Sequence, residues 1–189
     1  RDSIKNTIAL AWDRRLVISP HIGDMDTRRS LDVFTQVVAD LQALYGVNAA
    51  RVLCDAHPDY TTHRWARESG LPVTRVLHHH AHASALYGEY RLQGDCLVFT
   101  WDGTGLGEDG TLRGGEALYG RPGAWQHLIR LRPFHLPGGD KAGREPWRAA
   151  AALCWETGRP YRAPVAEAEL LYSAWQRRLN APQSSAAGR

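Results

Sequence analysis

The chain has 189 residues, of which 43% are hydrophobic, so it is long and apolar enough to bury a core in one or two domains. Its formal net charge is only +3, and no basic run marks it as a nucleic-acid binder. The sequence contains no apolar stretch of the length that crosses a bilayer, and no basic leader followed by an apolar segment. Nucleic acid therefore remains possible but is not signalled, and we expect no membrane partner.

The three cysteines, Cys54, Cys96 and Cys154, lie far apart in apolar segments and form no C-x-x-C pair. This pattern predicts reduced core residues and a cytoplasmic protein. The N-terminus, Arg1-Asp2-Ser3, has no Met and leads directly into an apolar run. We expect the chain to come from a longer protein.

The first half of the chain alternates between strand and helix patterns. Two apolar runs predict a β-hairpin, and the helical spacing of apolar residues after it predicts a helix that ends at Gly46. The next segments predict a strand, a helix and a second strand, which is the order of a mostly parallel sheet covered by helices. The predicted ranges are Ile4 to Trp12 and Leu16 to Ser19 (hairpin), Thr27 to Tyr45 (helix), Arg51 to Asp55 (strand), Asp59 to Glu68 (helix) and Pro72 to Leu77 (strand).

Four histidines within five residues, from His78 to His82, follow these strands and are followed in turn by Asp102. His78 and His82 are four residues apart, so they share one face of a helix that begins near His78. The apolar run from Asp95 to Trp101 predicts a strand, and Asp102 would lie at its carboxyl end, where open α/β sheets place ligands. Two imidazoles and a carboxylate suit Zn or Fe(II) and leave coordination positions open. His78, His82 and Asp102 are the predicted metal ligands.

The other histidines have simpler interpretations. We expect His79 and His80 to mark only the passage from strand to helix, either packed or solvated. His57 and His63 could be ligands, but capping or surface roles are favoured. Roles for Lys5, His57 and Asp59 are left open.

Glycines crowd the segment after Asp102, and glycine lets a backbone approach a ligand and point N–H groups at its oxygens. A Gly-rich hairpin alone is more typical of a purely structural turn. Only the neighbouring Asp102 favours a ligand-binding role for these glycines. Arg144 and Arg148 flank Glu145-Pro146-Trp147 at a predicted helix start, where they could clamp an anion or pair with Glu145. The candidate cofactor-binding residues are Gly103, Thr104, Gly105, Gly114, Gly115, Glu116, Arg144 and Arg148.

The remaining segments predict a strand that opens at Glu116, a strand from Trp125 to Phe134 and a final helix from Ala163 to Leu179. Residues 183–189 have the pattern of a helix that has just begun.

Six motifs, in this order along nearly the whole chain, resemble the HypF family of carbamoyltransferases, which mature nickel–iron hydrogenases. The resemblance implies an α/β fold of the actin/Hsp70-like nucleotide-binding group, with a mixed sheet flanked by helices. It also implies that residues 1–189 form part of the catalytic domain, without the upstream acylphosphatase-like, zinc-finger and adenylate-forming domains and without the C-terminal lobe. The motifs are His21-Ile22-Gly23-Asp24-Met25-Asp26, His57-Pro58-Asp59-Tyr60, His78-His79-His80-Ala81-His82, Trp101-Asp102-Gly103-Thr104-Gly105, Gly114-Gly115-Glu116, and Leu136 to Asp140 with Arg144 to Arg148.

The resemblance further implies a reaction. Upstream domains would convert carbamoyl phosphate and ATP to carbamoyl-adenylate, and this domain would pass the carbamoyl group to the C-terminal cysteine of a HypE-type partner. His78, His82 and Asp102 match the family's metal ligands, and a further aspartate ligand would lie beyond the end of the chain. The loop from Gly103 to Gly107 would hold phosphate through backbone donors.

Two other functions fit parts of the pattern. One is a metal- or nucleotide-binding module of the actin-like group without transfer chemistry. The other is a carbamoyltransferase that acts on the hydroxyl of a small molecule. The His-Pro-Asp-Tyr and Arg-Glu-Pro-Trp-Arg segments favour hydrogenase maturation over a generic nucleotide switch.

Overall fold

The structure, a computed structural model, describes residues 6–23, 25, 27–162, 164 and 168–187. Parts of several predicted features fall outside these residues: Ile4 and Lys5 of the hairpin, Asp24 and Asp26 of the first motif, Ala163 of the last helix, and Gly188 with Arg189. The chain forms two compact units, Arg1–Val76 and Leu77–Arg189. Each unit is described by itself.

The first unit begins with the predicted hairpin, which is shorter than its sequence pattern. Strands β1 (Ala9–Trp12) and β2 (Arg15–Ile18) pair antiparallel. Asp13 in the turn has a positive φ of 50°, a conformation that aspartate tolerates better than most residues. The hairpin is confirmed over the residues that the structure describes.

Helix α1 (Arg28–Tyr45) follows, with the capping residues that its sequence suggests. The Thr27 side chain accepts a hydrogen bond from the Ser30 N–H, and Gly46 ends the helix in the left-handed conformation at φ 63°. Phe34 is buried on the helix and meets Trp65 edge to face, at 5.1 Å between ring centroids.

Strands β3 (Val52–Asp55) and β4 (Val73–Val76) are parallel and are joined by helix α2 (Thr61–Glu68). This βαβ unit confirms one part of the predicted parallel sheet. The expectation that the sheet stays parallel into the next strand is wrong, because that strand pairs antiparallel with the one after it.

The second unit is built around helix α3 (His78–Glu89) and a five-stranded mixed sheet. Its strands are β5 (Cys96–Leu106), β6 (Leu112–Gly120), β7 (Gln126–Arg130), β8 (Phe134–His135) and β9 (Gln183–Ser184). Within the sheet, β6 pairs antiparallel with β5 and β7 and parallel with β9, and β8 pairs antiparallel with β9. Ala83 of α3 packs there with Val98, Leu118 and Trp125.

Three strand predictions in this unit need correction. Strand β5 runs five residues past Trp101, and β6 begins four residues before Glu116. The single strand expected from Trp125 to Phe134 is two strands, β7 and β8. The helix start expected at residue 183 is instead β9, because Ser184 pairs with both Leu112 and Phe134.

A second core lies under the last helices. Helices α4 (Trp147–Glu156) and α5 (Ala168–Gln176) follow a 3-10 turn at Gly139–Gly143, and Pro146 precedes α4 as predicted. Ala149, Ala152 and Trp175 pack there with Phe134 and Leu136. Among the described residues, no helix is long and apolar enough to cross a membrane.

Candidate metal centre

The first turn of α3 brings two of the predicted ligands together. His78 begins the helix and His82 lies one turn later, so their Nε2 atoms are 3.2 Å apart. The two side chains are 32% and 56% exposed. The pair is therefore open to a ligand from solvent.

Asp102 faces this pair from β5, although it does not lie at the strand's carboxyl end as predicted. It lies at an irregularity between Trp101 and Gly105, where the pairing of β5 with β6 shifts register. Its Oδ1 accepts a hydrogen bond from the Gly103 N–H at 2.6 Å. Its Oδ2 lies 3.0 Å from His78 Nε2 and 3.8 Å from His82 Nε2.

The donor atoms of His78, His82 and Asp102 lie within 4.8 Å of one another, which fits a divalent cation. Asp102 Oδ2 is buried, and no described residue reaches it with hydrogen-bond geometry, although ring nitrogens stand nearby. A buried carboxylate oxygen without a partner is costly, and a cation would satisfy it. Two imidazoles and one carboxylate are ligands that Zn and Fe(II) accept.

The environment of His82 favours the form that binds metal. Burial lowers the pKa of His82, the neighbouring His78 lowers it further, and Asp102 opposes the shift. A neutral imidazole has a free nitrogen lone pair, which a metal ion requires. The site therefore holds His82 ready for coordination near neutral pH.

His79 is packed, one of the two environments expected for it, but sequence reasoning did not predict the two carboxylates that its ring faces. The side chain is 2% exposed, with Nε2 3.4 Å from Asp102 Oδ2 and Nδ1 3.5 Å from Glu116 Oε1. One step along a helix turns a side chain by about 100°, so the His79 ring is buried against the sheet while the His78 ring, one position earlier, is 32% exposed. The carboxylate that it meets is 37 positions further along the sequence, so helical spacing alone gave no signal for it.

Glu116 is the second buried carboxylate of this region. Arg113 Nε lies 3.7 Å from Glu116 Oε1, and His127 Nε2 lies 4.0 Å from Oε2. Burial by itself raises the pKa of Glu116, but His79, Arg113 and His127 outweigh it, and the pKa is lowered. Glu116 was predicted to bind a cofactor, and in this structure it contacts the chain's own basic side chains.

A loop was expected from Gly103 to Gly107, but β5 continues through Gly103 and Gly105 to Leu106, and only Gly107 lies outside the strand. A Cβ on Gly105 would stand 2.7 Å from the His79 ring, and one on Gly114 would stand 2.2 Å from the Asp102 carbonyl oxygen. The N–H of Gly115 donates to the Ser185 carbonyl. The three glycines thus let other atoms of this unit approach the backbone of β5 and β6 closely. Thr104 is half-buried in β5.

The predicted anion clamp at α4 has partners within the chain. Arg148 Nε donates to Glu145 Oε2 at 2.7 Å, and its guanidinium lies over the Trp147 ring. This is the salt bridge that was the alternative to an anion clamp. The Arg144 N–H donates to the Lys141 carbonyl as the 3-10 turn ends.

The histidines of the first unit have structural contacts. His57 stacks on Tyr60 at 4.5 Å, and its N–H donates to Asp55 Oδ1. His63 is buried, with Nδ1 3.2 Å from the Asp55 carbonyl oxygen. His57 thus has a structural contact, as was favoured, but the capping or surface role expected for His63 is wrong, because its side chain is buried within α2.

Two family models match consecutive parts of the chain. The model described as "HypF Kae1-like domain" matches residues 3–89, and "Carbamoyltransferase, Kae1-like Domain, second subdomain" matches residues 98–189. The chain belongs to the HypF family. The resemblance inferred from the six motifs is thereby confirmed.

Similar HypF proteins show how the chain relates to longer ones. Carbamoyltransferase HypF of Synechocystis sp. is 40% identical over 81% of the chain, which covers 20% of that protein. A HypF homolog of Cupriavidus necator is 40% identical over 98% of the chain, which covers 50% of that protein. The chain thus spans half or less of the length of these two relatives.

Solved HypF structures share the fold. Full-length HypF in a phosphate- and nucleotide-bound form matches 97% of the chain with a TM-score of 0.87 and 26% identity, and the chain covers 25% of it. T. kodakarensis HypF matches 98% of the chain with a TM-score of 0.82 and 23% identity, and the chain covers 27% of it. The predicted fold class, mixed sheet flanked by helices, is confirmed.

Proposed function

We propose that this chain is part of a carbamoyltransferase that acts in hydrogenase maturation. Carbamoyl-adenylate, made from carbamoyl phosphate and ATP by other domains of the full-length protein, would be the donor. The C-terminal cysteine of a HypE-type partner would be the acceptor. The relatives are named carbamoyltransferases, and one HypF has been solved with phosphate and nucleotide.

The observation that carries the proposal is the convergence of His78 Nε2, His82 Nε2 and Asp102 Oδ2 in a member of this family. These residues would hold a divalent iron or zinc ion. When bound, such an ion polarises a carbonyl group or neutralises the charge that develops on a phosphate leaving group.

A cavity beside Asp102 would hold the carbamoyl group. A cavity of about 200 Å³ lies between α3 and β5, and its lining includes Leu86, Phe99 and Trp101 as well as His82 and Asp102. Phe99 and Trp101 are 57% and 70% exposed. Their rings would shield the reacting carbon from water, and binding there would orient it toward the incoming sulfur.

The transfer exchanges one bond for another. The carbamoyl carbon would form a bond to the cysteine sulfur, and its bond to the adenylate phosphate oxygen would break. AMP would leave with the electron pair, and the thiol proton would pass to solvent. The proposal assigns no phosphate contact to Gly105, Gly114 or Gly115, since their close contacts are with this chain's own atoms.

Histidine variants of the full-length protein test the proposal. His78→Ala and His82→Ala should each abolish carbamoyl transfer and leave carbamoyl-adenylate synthesis intact, because we place the two steps in different domains. Mass spectrometry of a HypE tail peptide would measure transfer as the gain of one carbamoyl group on its terminal cysteine. Elemental analysis of the purified protein would identify the ion.

The matched control is His80→Ala, which removes a neighbouring ring that makes no ion pair with Asp102 among the described residues. It should retain transfer. Full transfer by both His78→Ala and His82→Ala would contradict the proposal. Carbamoylation of a sugar hydroxyl in place of cysteine would indicate the small-molecule alternative, and metal-stimulated ATP turnover without transfer to any acceptor would indicate the binding module.

A further inference from the structure

The ring of His79 lies between two carboxylates of the sheet. Its Nε2 faces Asp102 Oδ2 at 3.4 Å, and its Nδ1 faces Glu116 Oε1 at 3.5 Å. Both Nε2 and Oδ2 are buried, and neither has a hydrogen-bond partner among the described residues. Two buried polar atoms that both lack partners therefore face each other beside the candidate metal ligands.

The sheet is shaped to accept this ring. A Cβ on Gly105 would stand 2.7 Å from His79 Cε1 and 2.9 Å from His79 Nε2, which is closer than carbon atoms pack. Two residues later, a Cβ on Gly107 would collide with the Arg113 side chain at 2.2 Å from Nε. The glycines at 105 and 107 leave room for buried His79 and Arg113.

Glu116, on the far side of the His79 ring, contacts two further basic side chains. The Glu116 side chain is 3% exposed and lies near Arg113 and His127, and Arg113 Nη2 lies 3.0 Å from Asp109 Oδ2. We name His79, Glu116 and Arg113 the buried row. The row connects the tip of the β5–β6 hairpin to Asp102.

We propose that His79 is a positioning residue for the metal centre, which orients Asp102 through a hydrogen bond from Nε2 to Oδ2. Glu116 faces the other ring nitrogen and keeps the ring in this plane. The inference rests on the proposed function, because it assigns Asp102 the role of a ligand. A 3.4 Å separation closes to hydrogen-bond length after a small side-chain rotation.

The bond would fix the carboxylate at both ends. Gly103 already holds Oδ1 through its N–H at 2.6 Å, so one further donor at Oδ2 would prevent rotation of the group. A carboxylate oxygen has more than one acceptor site, so Oδ2 can accept from His79 and bind a cation at once. Fixed ligand orientation is what outer hydrogen bonds contribute to metal affinity.

Three substitutions of His79 separate this role from packing. His79→Leu removes both ring nitrogens, whereas His79→Gln offers an amide donor near the position of Nε2 and His79→Asn offers one near that of Nδ1. Zn²⁺ affinity would be measured by calorimetry on the metal-depleted full-length protein. A double variant, His78→Ala with His82→Ala, provides the baseline for other zinc sites in the protein.

We expect His79→Leu and His79→Asn to weaken Zn²⁺ binding at this site by about 10–100-fold, the range for lost outer hydrogen bonds. His79→Gln should stay within about threefold of the wild type, since its amide supplies an N–H donor near the position of Nε2. The control, His80→Gln, should not change the affinity. Thermal unfolding of each variant would show whether it is folded.

Two outcomes overturn the inference while the metal centre stands: wild-type affinity in His79→Leu, or equal losses in the Gln and Asn variants. A wild-type protein that binds no more Zn²⁺ than the double variant would refute the metal centre itself, and this inference with it. Because Gln and Asn are both polar and smaller than histidine, the comparison remains decisive even if the Leu variant fails to fold.

Discussion

The first turn of α3 serves two regions that differ in solvent exposure. On one side, His78 and His82 lie partly exposed around Asp102 Oδ2. On the other side, His79 is 2% exposed and joins Glu116 and Arg113 in the buried row. Neighbouring histidines in one pentapeptide thus have opposite environments, because each step along the helix turns the side chain by about 100°.

The difference predicts opposite consequences of mutation. An exposed imidazole can be removed at little cost in folding free energy, because water replaces its contacts. A buried charged group that loses its partner keeps the full cost of desolvation. Substitutions of His78 and His82 should therefore change metal binding and carbamoyl transfer with little effect on the free energy of unfolding. Substitutions in the buried row should lower the free energy of unfolding as well.

The largest expected effect on stability is that of Glu116→Ala. The substitution removes the carboxylate that Arg113 Nε, His79 Nδ1 and His127 Nε2 face. Arg113 keeps its ion pair with Asp109, so we expect a cost of about 2–4 kcal/mol of unfolding free energy, mainly from the nitrogens left unsatisfied. Urea unfolding monitored by tryptophan fluorescence would measure it. The comparison variant, His82→Ala, should change the free energy by only about 0.5 kcal/mol. Equal losses in the two variants would remove the distinction between the two regions.

Gly105→Ala tests the steric side of the same comparison. The new methyl group would collide with the His79 ring, and overpacking of this kind costs about 1–3 kcal/mol. The control is Gly88→Ala in α3, where a Cβ meets no atom within 4 Å and alanine should be neutral or stabilising. Thermal unfolding of both variants gives the measurement. A Gly105→Ala variant as stable as Gly88→Ala would show that the ring is not confined there.

Local patterns predicted much of this architecture. The four-residue spacing predicted that His78 and His82 share a face, and Gly46 and the apolar period predicted α1 with its C-terminal end. These features depend on contacts between residues within one or two helical turns of each other. The spacing of residues along the sequence predicts such local contacts.

The features that were missed depend on contacts between distant residues. Gly103 to Gly107 looked like a loop because glycine is rare in strands. However, Gly105 accommodates His79 inside β5, and Gly107 accommodates Arg113 directly after the strand. Residues 183 and 184 form a strand only because β6 and β8 lie on either side of them. No local period shows which distant strand a short segment will join.

Ser84→Ala should have a smaller effect, at the point where α3 is anchored to the sheet. The Ser84 hydroxyl accepts a hydrogen bond from Trp125 Nε1 at 2.9 Å, and its loss leaves that indole N–H unsatisfied at a cost of about 1–2 kcal/mol. Urea unfolding of Ser84→Ala, Trp125→Phe and the double variant would measure it. If the losses of unfolding free energy in the two single variants add up to the loss in the double variant, the hydrogen bond between Trp125 and Ser84 does not stabilise the packing of α3 on the sheet.

The smallest effect is expected at the hairpin tip, beyond the buried row. Asp109 is 41% exposed there and accepts hydrogen bonds from Thr111 and Arg130 while it pairs with Arg113. The bond from Thr111, followed by that from Arg113, lowers the pKa of Asp109 well below its usual range. At pH 7, Asp109→Asn should cost about 0.5–1 kcal/mol, because solvent screens an exposed group of this kind.

The pH dependence of this loss separates the charge of Asp109 from its shape. Its pKa in the folded state lies below the value of about 3.9 in the unfolded chain, so the stabilisation is fully present above that value. It is lost as the pH falls toward the folded pKa, where the carboxyl gains its proton. Unfolding free energies of wild type and Asp109→Asn should therefore differ most near pH 7 and begin to converge only as the pH falls below about 4. A difference that does not shrink at all below about pH 4 would show that the hairpin tip depends on hydrogen-bond geometry and not on charge.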